Sequence, residues 1–121
     1  MTQSAGLLTV SAILINGQAP QAAQLFVGSD NEFEIDGASI DGVYQNASTV
    51  AMQLLDANRV TISGATATLT YIAASNGNYR GSMAAASATL AAGTRYIVQI
   101  TVTKDSATTV ISETETAAYR S

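Results

Sequence analysis

The residues best suited to chemistry in this sequence are carboxylates set two apart: Asp30, Glu32, Glu34 and Asp36. On an extended chain that spacing places all four on one face, about 7 Å between neighbours. Two or three of them, with Asp41 or Asp56 nearby, could hold Ca²⁺ through oxygen. The spacing is not that of an EF-hand loop. A plainer reading competes: a solvated edge strand whose like charges block edge-to-edge pairing. No resident metal is expected, and Asp30, Glu32, Glu34 and Asp36 stand as the Ca²⁺ candidate.

Other chemistry is poorly supplied. The 121 residues contain no His, no Cys and no Trp. Lack of His removes the commonest general base and the commonest transition-metal ligand. Ser and Thr are abundant, but a nucleophile needs an activating partner. Neither an enzyme nor a cofactor is expected. Without Cys there is no disulfide, and the redox compartment stays open. Net charge is -4, and the five basic residues, Arg59, Arg80, Arg95, Lys104 and Arg120, are scattered. No basic patch exists to neutralise phosphates, so nucleic acid is not an expected partner. Arg80 follows a core-type tyrosine and points outward. It docks on a partner's carboxylate, pairs with the acidic ladder or is plain surface. Asn46-Ala47-Ser48 matches a glycosylation sequon, read as coincidental. The lone lysine, Lys104, sits at a turn, a poor place for an isopeptide link to Asn.

The elements that position these groups read as strands. Leu7 to Ile15 is apolar and β-branched and ends at Asn16-Gly17. Leu25 to Val27 is a short apolar run. In 30–36 the carboxylates alternate with Asn31, Phe33 and Ile35, giving one wet face and one buried face. Gly37 and Gly42 bracket a loop. Val50, Met52 and Leu54 share a face, and Thr49, Ala51, Gln53 and Leu55 share the other. Gly64 separates Val60–Ser63 from Ala65–Ala73, where Ala65, Ala67, Leu69, Tyr71 and Ala73 oppose Thr66, Thr68 and Thr70. Asn76-Gly77 signals a type I′ hairpin turn. Residues 83–90 form a helical turn or a sheet-crossing connection. After the strand 95–103, Lys104-Asp105-Ser106 turns the chain. Val110, Ser112, Thr114 and Thr116 then alternate with Ile111, Glu113, Glu115 and Ala117.

Leu90, Gly93 and Tyr96 lead into the alternating strand Ile97 to Val102. This is the local pattern of a tyrosine corner, in which the ring packs inward and the hydroxyl reaches an upstream backbone group. Together these signals predict an all-β fold: an antiparallel immunoglobulin-like or fibronectin-III-like β-sandwich of about seven strands.

The order of "GSDNEFEIDG", "NASTVAMQLLDA", "TLTYIAASNGNYRG", "LAAGTRYIVQITVT" and "AAYR" resembles a group of small uncharacterised immunoglobulin-like proteins of tailed bacteriophages and prophages. The resemblance covers Val27 to Arg120. It is carried best by Asn31, Val50, Leu69, Tyr71, Gly77, Tyr79, Arg80, Gly81, Leu90, Gly93 and Tyr96. It implies a structural component of a virion, synthesised in the host cytoplasm. Capsid decoration or cementing is the favoured place, and a neck or tail (head-tail connector) subunit is the alternative. It supplies no catalytic residue. The implied partners are other virion proteins, above all the major capsid protein, in a homo-oligomer or on the capsid lattice.

Residues 1–24 lie outside the resemblance, and the sandwich domain is taken as 25–121. Leu7, Leu8, Val10, Ile13, Leu14 and Ile15 are too apolar for an exposed tail. They form the first strand of the sandwich, or an extended arm that adds a strand to a neighbouring subunit. With Arg80 they are the expected interaction residues. The first residues lack the basic start of a signal peptide, and no apolar run is long enough to span a membrane. No membrane partner is expected. A carbohydrate- or receptor-binding module is the reading from another class. Tyr44 and Tyr119 would be its only exposed tyrosines.

Overall fold

The computed structural model describes residues 7–119. Eleven strands follow in order: β1 (Leu8–Thr9), β2 (Ala12–Ile15), β3 (Leu25–Val27), β4 (Asn31–Asp36), β5 (Ser39–Ile40), β6 (Val43–Tyr44), β7 (Thr49–Leu55), β8 (Thr61–Tyr71), β9 (Tyr79–Met83), β10 (Arg95–Lys104) and β11 (Ala107–Tyr119). A single 3₁₀ turn, Ala85–Ser87, links β9 to β10. Eight strands pair in the order β2-β4-β9-β8-β7-β10-β11-β3, and a small sheet is ordered β1-β5-β6. The junction of β8 with β9 is narrow, only Thr70↔Arg80 and Tyr71↔Tyr79. The long sheet folds over there, and its two inner faces share one core. Phe33, Ile35 and Tyr79 from one side join Met52, Leu54, Ile100 and Val102 from the other. The fold is all-β and sandwich-like.

Period-two patterning explains most faces. In β4, Asn31, Phe33 and Ile35 are buried while Glu32 is exposed and Glu34 and Asp36 are half-buried. In β8, Ala65, Ala67 and Leu69 are buried and the intervening threonines exposed. Such strands pack by alternate residues, and β-branched threonine suits the wet side.

Several boundaries differ from expectation. The segment Leu7 to Ile15 breaks into β1 and β2, each pairing with a different strand. Gly64 does not end a strand. It sits at φ +80 inside β8, where the register against β7 slips between Gln53 and Leu55. The Gln53 amide donates to the carbonyls of Leu54 (2.8 Å), Ile62 (3.0 Å) and Ala65 (3.3 Å), satisfying groups around that irregularity. The loop between Gly37 and Gly42 contains β5. Asp41-Gly42 turns it into β6 with both residues at positive φ, as Asn16-Gly17 turns the chain after β2.

Asn76-Gly77 makes no such turn. β8 ends at Tyr71 and β9 starts at Tyr79, and of the pair only Gly77 has positive φ. Tertiary contacts decide this. The Ala38 amide donates to the Gly77 carbonyl at 2.9 Å, and the Gly77 amide donates to Asn46 Oδ1 at 2.9 Å. A Cβ on Gly77 would lie 2.5 Å from the Ala38 oxygen, so only glycine admits this approach.

Of residues 1–24, the first six lie outside the described residues. The rest pairs into both sheets, with Leu8 1% and Ile15 0% exposed. An asparagine clip then carries the chain across. Buried Asn31 accepts from the Phe26 amide (2.7 Å) and from Asn16 Nδ2 (2.9 Å), and donates to the Phe26 carbonyl (3.0 Å). Asn16 Oδ1 accepts from the Glu32 amide at 2.8 Å. This clip places β2 beside β4 and β3, in parallel, beside the end of β11.

Candidate functional site

The acidic ladder is not on an edge strand. β4 is flanked by β2 and β9, and β2 is the edge. Like charges on β4 therefore do not guard a free backbone. They meet a cation from the neighbouring strand, because Glu34 pairs in register with Arg80. Arg80 Nε lies 2.9 Å from Glu34 Oε1 and 3.8 Å from Glu32 Oε1. Of its three sequence readings, the structure has the intramolecular ion pair. Asp36 lies on the same face of β4 as Glu34, and its buried Oδ1 has no hydrogen-bond partner among the described residues. Burial first, then the neighbouring Glu34, pushes Asp36 up to about 6, while Asp36 and the Arg80 guanidinium hold Glu34 low. Asp30 is apart, accepting from the Ala85 amide at 2.8 Å. Among the described residues no three His, Cys, Asp or Glu side chains gather to hold a metal ion. The Ca²⁺ candidate is thus divided: Arg80 occupies Glu32 and Glu34, and Asp30 caps a turn.

The tyrosine corner has definite geometry. Tyr96 is buried and its hydroxyl accepts from the Ala91 amide at 2.8 Å. Gly93 has φ +81, and its amide donates to the Ala117 carbonyl at 2.7 Å. Leu90 closes the core beside it. A second tyrosine is wired more fully: the Tyr79 hydroxyl donates to the Gln45 carbonyl (2.6 Å) and accepts from the Ser48 amide (2.9 Å).

The apolar N-terminal residues separate into two sets. Leu8 and Ile15 are buried in the core, in strands paired with β5 and β4, which is the first-strand reading of this segment rather than a free arm. Leu14 is half-buried in the edge strand β2. Leu7, which is 73% exposed, joins Val10, Ile13 and Pro20 in one wall of an open groove of about 460 Å³. The facing wall is the inward side of β11: Thr109, Ile111 and Glu113. The Thr109 hydroxyl donates to the Leu8 carbonyl and ties the walls together at one end.

Sequence reasoning missed the β11 side of this groove. Ile111, Glu113, Glu115 and Ala117 alternate with Val110, Ser112, Thr114 and Thr116, and neither set is plainly the apolar one. The structure turns the glutamates inward and leaves Val110 exposed. Glu115 is only 4% exposed, and among the described residues its Oε2 has no hydrogen-bond partner. Burial, with a smaller contribution from the Glu113 charge, pushes it up to about 7. The signal available in sequence was the apolar pair Ile111 and Ala117 at matching parity, with two carboxylates between them.

Tyr44 and Tyr119 are exposed, on β6 and at the end of β11. No helix among the described residues is long and apolar enough to cross a membrane. Compared with known protein families, with characterised proteins and with solved structures, the chain finds no match.

Proposed function

We propose that the chain is an immunoglobulin-like structural subunit of a tailed-phage virion, without catalytic activity, that decorates or cements the capsid lattice. The fold part of this reading is supported by pairing order. One layer runs β2-β4-β9, the other runs β7-β10-β11-β3, and β8 serves both. That order parallels A-B-E and C-F-G-A′ in immunoglobulin sandwiches, and Tyr96 opens the strand that corresponds to F. The virion setting rests on the sequence resemblance over 27–120.

The observation that carries the binding role is the open flank. An apolar groove lies beside a long strand whose outer edge is, among the described residues, largely unpaired. Such a flank holds another chain through backbone hydrogen bonds and buried apolar area. Quantitative mass spectrometry of purified particles tests the assignment. A copy number equal to the major capsid protein, or a simple fraction of it, is expected. A ratio of a few per cent would move the chain to the neck or tail, against the decoration reading. Absence from particles would overturn the virion assignment.

A further inference from the structure

β11 is the longest strand, yet β3 covers only Ala117–Tyr119. Along residues 107–116 one edge pairs with β10, and among the described residues no strand pairs with the other. Alternate backbone N–H and C=O groups of this run therefore face outward, a template for an added strand. The groove runs along the same flank. A strand laid on the edge would send every second side chain over Ile111 and Glu113 towards Leu7, Val10 and Ile13.

Charge selects the occupant. The only salt bridges among the described residues are those of Arg80 to Glu32 and Glu34. Glu113 stands in the groove with no cation, and Glu115, the next inward residue, has a buried oxygen without a partner. Inward-pointing carboxylates on an edge discourage indiscriminate pairing. Two β11 edges pairing with each other would bring the Glu113 carboxylates of both copies to one groove with no cation between them, which disfavours a second copy as occupant. A strand carrying a cation at this place gains where others lose, which is how an interface discriminates.

We propose that the free edge of β11 and the adjoining groove form a docking site for an extended segment of a different protein. Its strand has apolar residues at alternate positions and one lysine or arginine facing Glu113. This deepens the assembly reading, and rests on it only for the partner being another particle component.

The test is an NMR titration of the full chain with two peptides of about nine residues, the length of an ordinary strand. Both alternate valine and threonine, and they differ only in a central lysine or glutamate. The lysine peptide should shift the amides of 107–116 and bind about tenfold more tightly than the glutamate peptide. In Glu113→Gln, with an unchanged fold by circular dichroism, that preference should collapse. No shift along 107–116 with the lysine peptide at roughly millimolar concentration would overturn the site. Equal affinity for both peptides would overturn the charge selection. Concentration-dependent dimerisation that protects 107–116 would assign the edge to a second copy and overturn the proposal. The titration uses the isolated chain, so its outcome is separate from the particle measurement. Peptide binding by a chain absent from particles would remove the virion reading alone.

Discussion

Single side chains hold this fold together at places where backbone groups would otherwise be stranded. Asn31 is the clearest: four hydrogen bonds converge on a residue 1% exposed. Asn31→Leu keeps the volume but removes the side-chain hydrogen bonds to the Phe26 amide and carbonyl and to Asn16, which should cost about 2–4 kcal/mol in denaturant unfolding. Tyr96→Phe removes one acceptor and should cost about 1–2 kcal/mol. Glu115 acts in the opposite sense. Its folded-state carboxyl titrates near 7, above its ordinary value of 4.5, because burial penalises the charge. The native state therefore keeps a proton that the unfolded chain has lost. The stabilisation is complete below pH 4.5 and is lost as pH rises through about 7, on the order of 2 kcal/mol. Asp36, pushed to about 6, adds a loss of the same sign at lower pH, and Glu34, held low, works against it. Thermal unfolding across this range should show Tm falling towards pH 8 in the parent chain and a flatter profile in Glu115→Gln. Identical profiles would contradict the buried-carboxylate account.

At the level of elements, close backbone approach decides what the strands tolerate. β9 crosses β8 so tightly that a Cβ on Gly81 would lie 2.1 Å from the Thr68 oxygen. That atom is backbone and cannot swing aside. Gly81→Ala should destabilise by about 2 kcal/mol or more, and loosen the β8–β9 junction first. Gln53→Ala strips the amide from three carbonyls around the Gly64 irregularity and should cost about 1–3 kcal/mol. Alternation identified β4, β7, β10 and the Ala65–Tyr71 part of β8 from sequence, because each has one face that is apolar, with Asn31 on β4 the polar exception. It failed at Asn76-Gly77, where contacts with Ala38 and Asn46 override the local turn preference. It also left β11 undecided, since its inward face carries two glutamates and its outward face carries Val110.

At the scale of the whole fold, and among the described residues, the sandwich closes on one side and stays open on the other. The narrow β8–β9 junction joins the layers at one flank. At the opposite flank, among the described residues, β11 is bridged towards the first layer by its three pairs with β3 and by the Thr109 hydroxyl donating to the Leu8 carbonyl. This asymmetry was not legible in sequence. It depends on the Asn16–Asn31 clip and on where the chain turns between β2 and β3, which no period-two pattern encodes. The apolar character of Leu7, Val10 and Ile13 did mark one wall of the groove. Amide hydrogen exchange, residue by residue, tests the open flank most directly in the dilute chain. Along 107–116 the account predicts strict alternation: amides bonded to β10 protected, and those between them exchanging fast. The amides of Ala117–Tyr119, which lie between β10 or its turn and β3, should escape this pattern. Uniform protection along 107–116 would mean that the edge is already covered, and would contradict the account.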